Sequence, residues 1–110
     1  MTIDELTRGG VQITVIADNN ASLPFTGEHG FSAVIDICGA HTHRILFDTG
    51  RGVIFTNAPA AGVNLALCEA LVLSHGHYDH TDALKEFMNR YPRARIHAST
   101  GIFRQHYSKR

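Results

Sequence analysis

The run from His75 to His80, which reads His-Gly-His-Tyr-Asp-His, constrains the fold of this chain more than any other stretch. It follows Ala70 to Leu73, an apolar stretch typical of a buried strand, and precedes Thr81 to Arg90, which is typical of a helix. Three imidazoles and a carboxylate in so short a loop form a set of metal ligands. The sequence therefore predicts a fold in which a strand-to-helix loop presents metal ligands.

The spacing inside this run separates the ligands into two pairs. Side chains two positions apart in extended backbone point to the same side, so His75 and His77 can share one ion, with Gly76 leaving room for close approach. A bend at Asp79 and His80 would direct those two side chains to a second ion. Imidazole and carboxylate without a thiolate favour zinc, with manganese or iron as alternatives. A merely solvated His-rich turn explains three histidines and an aspartate at these intervals poorly.

The stretch from Ser74 to His80 resembles the His-x-His-x-Asp-His signature of the metallo-beta-lactamase superfamily. The resemblance runs from about Val11 to about Tyr107. It also includes Asp18-Asn19-Asn20, Glu28-His29-Gly30-Phe31-Ser32 and Leu46-Phe47-Asp48-Thr49-Gly50. These stretches are similar to the branch that contains dihydropterin-methyl-ribofuranosylaminobenzene phosphate synthases and many hydrolases of unassigned substrate.

The resemblance implies an α/β (α+β) fold, the N-terminal half of an αββα sandwich with metals at one edge of the sheets. It assigns His75 and His77 to a first metal, and Asp79 and His80 to a second. Metal-activated water would attack an ester, thioester or phosphoryl group of a small, phosphate-bearing or pterin-like substrate. Asp79 would also serve catalysis by accepting a hydrogen bond from that water.

The resemblance gives three more residues possible roles. Asp48, in the Asp-Thr-Gly turn, would orient the ligand loop, although a turn-forming Asp before Gly50 is an equal alternative. Asp18 and His29 are candidates for the pocket lining. For both, the alternative of a turn cap or a solvent-facing side chain is favoured.

The sequence departs from the family pattern in two ways. Thr81-Asp82-Ala83-Leu84 replaces the usual Thr-Gly-Gly-Leu, with Asp82 expected in the first helical turn and Leu84, Phe87 and Met88 expected in the core. The family's remaining metal ligands come from a later half of the domain, so residues 1–110 are expected to form a partial domain. A second chain, a second copy of this chain, or nothing, if the chain is truncated, would then cover the sheet. The remaining histidines are interpreted as surface or strand-end residues: His41, His43, His97 and His106.

Elsewhere the pattern predicts strands and helices joined by short turns, and one longer loop, Asp18 to Gly30, that is long enough to be functional. The predicted strands are Val11 to Ala17, Phe31 to Cys38, Arg44 to Phe47 and Arg95 to Ala98. The predicted helices are Val53 to Ala61, interrupted by Pro59, and Thr100 to Tyr107.

Composition favours a cytoplasmic protein without a membrane span: 44% of the residues are hydrophobic, 18% are charged, and the formal net charge is zero. Residues 1–10 lack the shape of a signal peptide. Cys38 and Cys68 are then expected to be reduced. Six basic and no acidic residues follow Phe87. They favour a solvated or docking surface over an anionic ligand, and nucleic acid is not expected.

Overall fold

The structure is a computed structural model that describes residues 10–20, 22–74 and 82–98. It contains one five-stranded sheet in the order β1-β2-β3-β4-β5, with two α-helices and one short 3₁₀ helix. The strands are β1 (Val11–Ala17), β2 (Ser32–Ile37), β3 (His43–Phe47), β4 (Cys68–Val72) and β5 (Arg95–His97). The helices are α1 (Ile54–Ala60), the 3₁₀ helix Leu65–Leu67 and α2 (Leu84–Arg90). The expected α/β class is confirmed.

The sheet is mixed. The pairs β1-β2 and β2-β3 are antiparallel, whereas β3-β4 and β4-β5 are parallel and are joined through α1 and α2. Parallel neighbours end at the same edge of a sheet, and Phe47 at the end of β3 pairs with Val72 at the end of β4. The chain segments that leave these two strands therefore start side by side.

One face of the sheet carries the core. Val34, Leu46 and Leu71 occupy neighbouring positions on β2, β3 and β4 and are fully buried. Ile54 of α1 and Phe87 of α2 belong to the same buried cluster. Both helices therefore cover the same face, and burial of each large apolar side chain contributes about 1.5–3 kcal/mol.

The opposite face is apolar and open. Along β1, the side chains of Val11, Ile13 and Val15 are 57%, 64% and 51% exposed. Ile13 pairs with Ile35, which pairs in turn with Ile45, so the apolar row continues across three strands. The expectation that residues 1–110 form a partial domain stays a prediction.

Two expectations about α2 are wrong. Met88 is 46% exposed and lies outside the core, and Asp82 precedes the helix instead of lying in its first turn, where Glu86 is the acidic residue. Asp82 lies outside the helix because α2 begins at Leu84, later than expected. Ala83, just before it, is buried and lies one turn from Phe87, so these two residues define the inward stripe and Met88 falls beside it.

Other differences are small. Pro59 lies inside α1 and does not interrupt it, because Ala61 N–H still donates to the Asn57 carbonyl at 2.9 Å. The bounds of β1 are those expected, and the ends of the other strands differ from the expected ones by at most two residues. The helix expected from Thr100 to Tyr107 lies outside the described residues. Within the described ranges, no helix has the length and apolarity to cross a membrane.

The unequal sheet faces give a direct prediction about stability. Leu46→Ala removes a fully buried side chain and should lower the free energy of unfolding by about 2–5 kcal/mol. The matched change Ile13→Ala, on the open face, should cost less than about 1 kcal/mol. Urea unfolding of the 110-residue protein measures both, and equal losses would show that the open face is covered in solution.

Candidate metal centre

Asp48 is the first residue after β3 and lies fully buried at the edge where β3 and β4 end. Its N–H donates to the Val72 carbonyl at 2.9 Å. Its φ of +58° lies in the left-handed region, which is uncommon for residues other than glycine and persists only where the surroundings enforce it. The backbone turn after β3 is therefore held in a specific and unfavourable conformation.

The Asp48 carboxylate binds the start of the ligand loop. Oδ1 accepts the N–H of Ser74 at 2.8 Å, and Oδ2 accepts the Ser74 hydroxyl at 2.6 Å. Hydrogen bonds to a carboxylate are stronger than those between neutral groups. Because Ser74 directly precedes His75 in the sequence, this pair fixes the point from which the ligand run leaves β4.

The far end of the ligand loop returns to the same turn. Ala83 N–H donates to the Gly50 carbonyl at 3.1 Å. Beside it, Arg51 Nε lies 3.6 Å from Asp82 Oδ2, a partly exposed ion pair that adds little stability. Ser74 and Ala83, on either side of segment 75–81, are thus both hydrogen-bonded to the turn Asp48–Gly50.

The four predicted ligands, His75, His77, Asp79 and His80, lie outside the described residues, so their assignment stays a prediction. Within residues 10–20, 22–74 and 82–98, no group of three or more His, Cys, Asp or Glu side chains could hold a metal ion. The nitrogen and oxygen donors of the run suit zinc. Hydrogen bonds from Ser74 and Ala83 to one turn also suit a metal site, which needs ligands held in fixed positions.

Asp18 and His29, the two candidates for the pocket lining, are exposed and lie against different clefts. Asp18 accepts the neighbouring Asn19 N–H at 2.7 Å and borders a cleft of about 260 Å³ that Asn57 also lines. His29 borders a more open groove beside Gly27. Their role in a pocket stays a prediction.

The histidines predicted to lie at the surface are exposed where the structure describes them. His43 at the start of β3 pairs with Glu69 at 2.9 Å, and His41 and His97 are exposed. His106 lies outside the described residues.

Both cysteines are free, as expected for reduced thiols. Burial raises the pKa of the Cys68 thiol to about 11. Beside it, Arg44 makes two hydrogen bonds to the Asp36 carboxylate, at 2.7 and 3.2 Å, and these bonds raise the Arg44 pKa. The Cys68 thiol is therefore protonated near neutral pH.

Sequence reasoning gave no role to Asn57, a polar residue on the inward face of α1. It is buried, and its Nδ2 group donates to the Ile16 carbonyl at 3.0 Å and the Thr26 carbonyl at 2.7 Å. Its Oδ1 accepts the Thr26 N–H at 2.9 Å. Asn57 therefore ties the loop between β1 and β2 to the core. The signal available in the sequence was an amide side chain within a largely apolar helix.

Glu28, in the same loop, belongs to one of the stretches that resemble the family, and the sequence alone predicts no contact for it. Its carboxylate accepts the N–H of Arg51 at 2.6 Å and that of Val53 at 3.0 Å. The loop before β2 is thus bonded directly to residues 51–53, which follow the turn that carries Asp48.

Asn57 provides a test of this loop attachment. Asn57→Ala leaves buried backbone groups without partners and should lower the free energy of unfolding by about 2–3 kcal/mol. Asn89→Ala, on the exposed side of α2, is the matched control and should change it by less than about 0.5 kcal/mol. Urea unfolding measures both; equal small effects would contradict the structural role of Asn57.

A family model described as metallo-beta-lactamase superfamily matches residues 25–108. Two curated relatives come from Methanocaldococcus jannaschii. An uncharacterised protein is 43% identical over 79 residues, covering 66% of this chain and 28% of the relative. A 7,8-dihydropterin-6-methyl-4-(beta-D-ribofuranosyl)-aminobenzene-5'-phosphate synthase is 32% identical over 103 residues, covering 86% of this chain and 34% of the relative.

Solved structures agree on the fold. Tm1679, a metal-dependent hydrolase of the beta-lactamase superfamily, is 38% identical with a TM-score of 0.53, covering 64% of this chain and 24% of that chain. The metallo-beta-lactamase MIM-2 is 26% identical with a TM-score of 0.53, over 64% of this chain and 27% of that one. The chain spans about a quarter to a third of the length of these relatives.

Proposed function

Because the chain belongs to the metallo-beta-lactamase superfamily, we propose that it supplies the ligand loop of a metal-dependent, dinuclear zinc hydrolase. The observation that carries this proposal is the anchoring of both flanks of segment 75–81 on one turn. Asp48 binds Ser74 on one side, and the Gly50 carbonyl binds Ala83 on the other. The described residues on either side of this donor run, Ser74 and Ala83, are therefore bound to one turn.

Each of these residues would have a separate role in the site. His75 and His77 hold one metal, Asp79 and His80 hold the other, and Asp48 orients the loop through Ser74. A divalent metal supplies Lewis acidity and lowers the pKa of water. Asp79 would also accept a hydrogen bond from a water molecule and orient it toward an ester, thioester or phosphoryl centre.

For the substrate, we propose a small phosphate-bearing or pterin-like molecule. The support is the 32% identity to the dihydropterin-related synthase, whose name includes a 5'-phosphate. The basic stretch after Phe87 does not add to this argument. In that stretch Arg90 pairs with Glu86 and stacks over the Phe55 ring at 4.2 Å, as a surface residue does.

We propose further that a second layer of sheet and helix packs on the open face and completes the site. The support is the exposure of Val11, Ile13 and Val15 together with the partial coverage of every relative described above. This layer could belong to the same polypeptide, a second chain or a second copy. The free cysteines agree with a reducing compartment such as the cytoplasm.

A second candidate function is a metal-binding assembly subunit that is inactive without a partner. The open apolar face is the observation that favours it. The two candidates differ in metal content, because a complete site holds two ions per chain and an isolated ligand loop holds fewer.

Metal content tests the proposal directly. Protein purified without a chelating tag should contain zinc at up to two ions per chain, measured by elemental analysis at known oligomer size. His77→Ala should lose most of it, because one imidazole of the first site is gone. His43→Ala, a surface histidine, is the control and should keep it. Equal metal content in all three proteins would contradict the proposal.

Asp48→Asn tests the proposed orienting role. Asparagine keeps the size and tolerates the left-handed backbone, but its amide cannot accept from both Ser74 groups. Zinc affinity should fall about 10-fold to 100-fold with the fold retained by circular dichroism. Glu86→Gln, on the surface of α2, should bind zinc as the parent protein does. An unchanged affinity in Asp48→Asn would leave Asp48 a turn residue only.

A further inference from the structure

The Glu28 carboxylate makes a contact that the proposed chemistry leaves unexplained. Glu28 is half-buried in the loop between β1 and β2, far in sequence from the turn that it touches. Oε2 accepts the Arg51 N–H and Oε1 accepts the Val53 N–H, at 2.6 and 3.0 Å. One side chain thus satisfies two backbone donors of the segment between β3 and α1.

Gly50 shows that this segment and Glu28 are built to fit each other. A Cβ added to Gly50 would lie 2.5 Å from Glu28 Oε2, closer than real contacts allow, and 3.3 Å from the Cβ of Ala17. The φ of Gly50 is +59°, which other residues rarely adopt. Glycine at this position allows the carboxylate to approach the backbone.

Glu28 is itself held in place. Its N–H donates to the Asp18 carbonyl at 3.0 Å, and Asn57 binds both backbone groups of Thr26, two residues earlier. The side chain therefore reaches the turn from a fixed backbone. A carboxylate on a fixed backbone is suited to positioning the groups that it binds.

We propose that Glu28 is a positioning residue for the metal centre, and this inference rests on the proposed function. Its two hydrogen bonds fix the backbone of residues 51–53. This segment continues from Asp48 and Gly50, which bind Ser74 and Ala83. Loss of the carboxylate then loosens both flanks of the ligand loop at once.

The first test uses cobalt(II) as the probe and Glu28→Gln as the variant. Glutamine keeps the size but offers one acceptor for two N–H donors. The cobalt dissociation constant should rise about 10-fold, the lower end for groups around a metal site, because Glu28 acts through the backbone, and the ligand-field absorption bands should change in position or intensity. A side chain that only stabilised the fold would leave the spectrum of the folded, loaded protein unchanged.

Glu69→Gln is the matched control. Glu69 is an exposed carboxylate near the start of β4 that binds His43, and its replacement should leave both the cobalt affinity and the spectrum unchanged. Gly50→Ala is the second variant, since it keeps Glu28 but displaces its carboxylate. It should shift affinity and spectrum in the same direction as Glu28→Gln.

Amide hydrogen exchange separates this inference from the proposed function, because it needs no metal. Glu28→Gln should speed exchange at the Ser74 and Ala83 amides relative to Glu69→Gln, with the buried strand amides unaffected. Absence of cobalt binding that depends on His77 would sink the proposed function. Unchanged Ser74 and Ala83 exchange, or an unchanged cobalt affinity and spectrum where binding does depend on His77, would overturn the role of Glu28.

Discussion

The hydrogen bonds between the Asp48 carboxylate and Ser74 are the contacts on which the candidate site depends. They form because β3 and β4 are parallel neighbours that end at the same edge, with the Asp48 N–H bound to Val72. A buried carboxylate is unfavourable unless it is hydrogen-bonded, and Ser74 supplies both a backbone and a side-chain donor. The same two hydrogen bonds thus give the Asp48 carboxylate its partners and fix Ser74, which precedes the predicted metal ligands.

The turn that carries Asp48 is stabilised from the opposite side by the loop before β2. Glu28 binds the backbone of Arg51 and Val53, just after this turn. Asn57 holds the loop that carries Glu28, and Gly50 leaves space for the carboxylate. Glu28, segment 48–53 and Ser74 are distant in sequence and meet at this edge. The φ of Asp48, +58°, persists because these contacts surround it.

Local sequence patterns predicted all five strands and both α-helices of the described residues. The metal ligands of residues 75–80 stay a prediction. The local patterns gave wrong predictions for Asp82, for Met88 and for the start of α2. They also missed roles that depend on partners distant in sequence. Met88 was expected in the core because it forms an apolar face with Leu84 and Phe87, but the inward stripe passes through Ala83 and Phe87 and leaves Met88 exposed. The roles of Asn57 and Glu28 depend on partners 31 and 23 or 25 residues away. No periodicity or spacing in one chain shows such pairs.

The central claim is that metal binds through the histidines that follow Ser74 and not through those elsewhere on the surface. Nitrogen-15 NMR of the imidazole side chains during zinc titration tests it most directly. Large shifts are expected at His75, His77 and His80, with His41, His43 and His97 unchanged. Shifts confined to the second group, or no shift at any histidine, would contradict it.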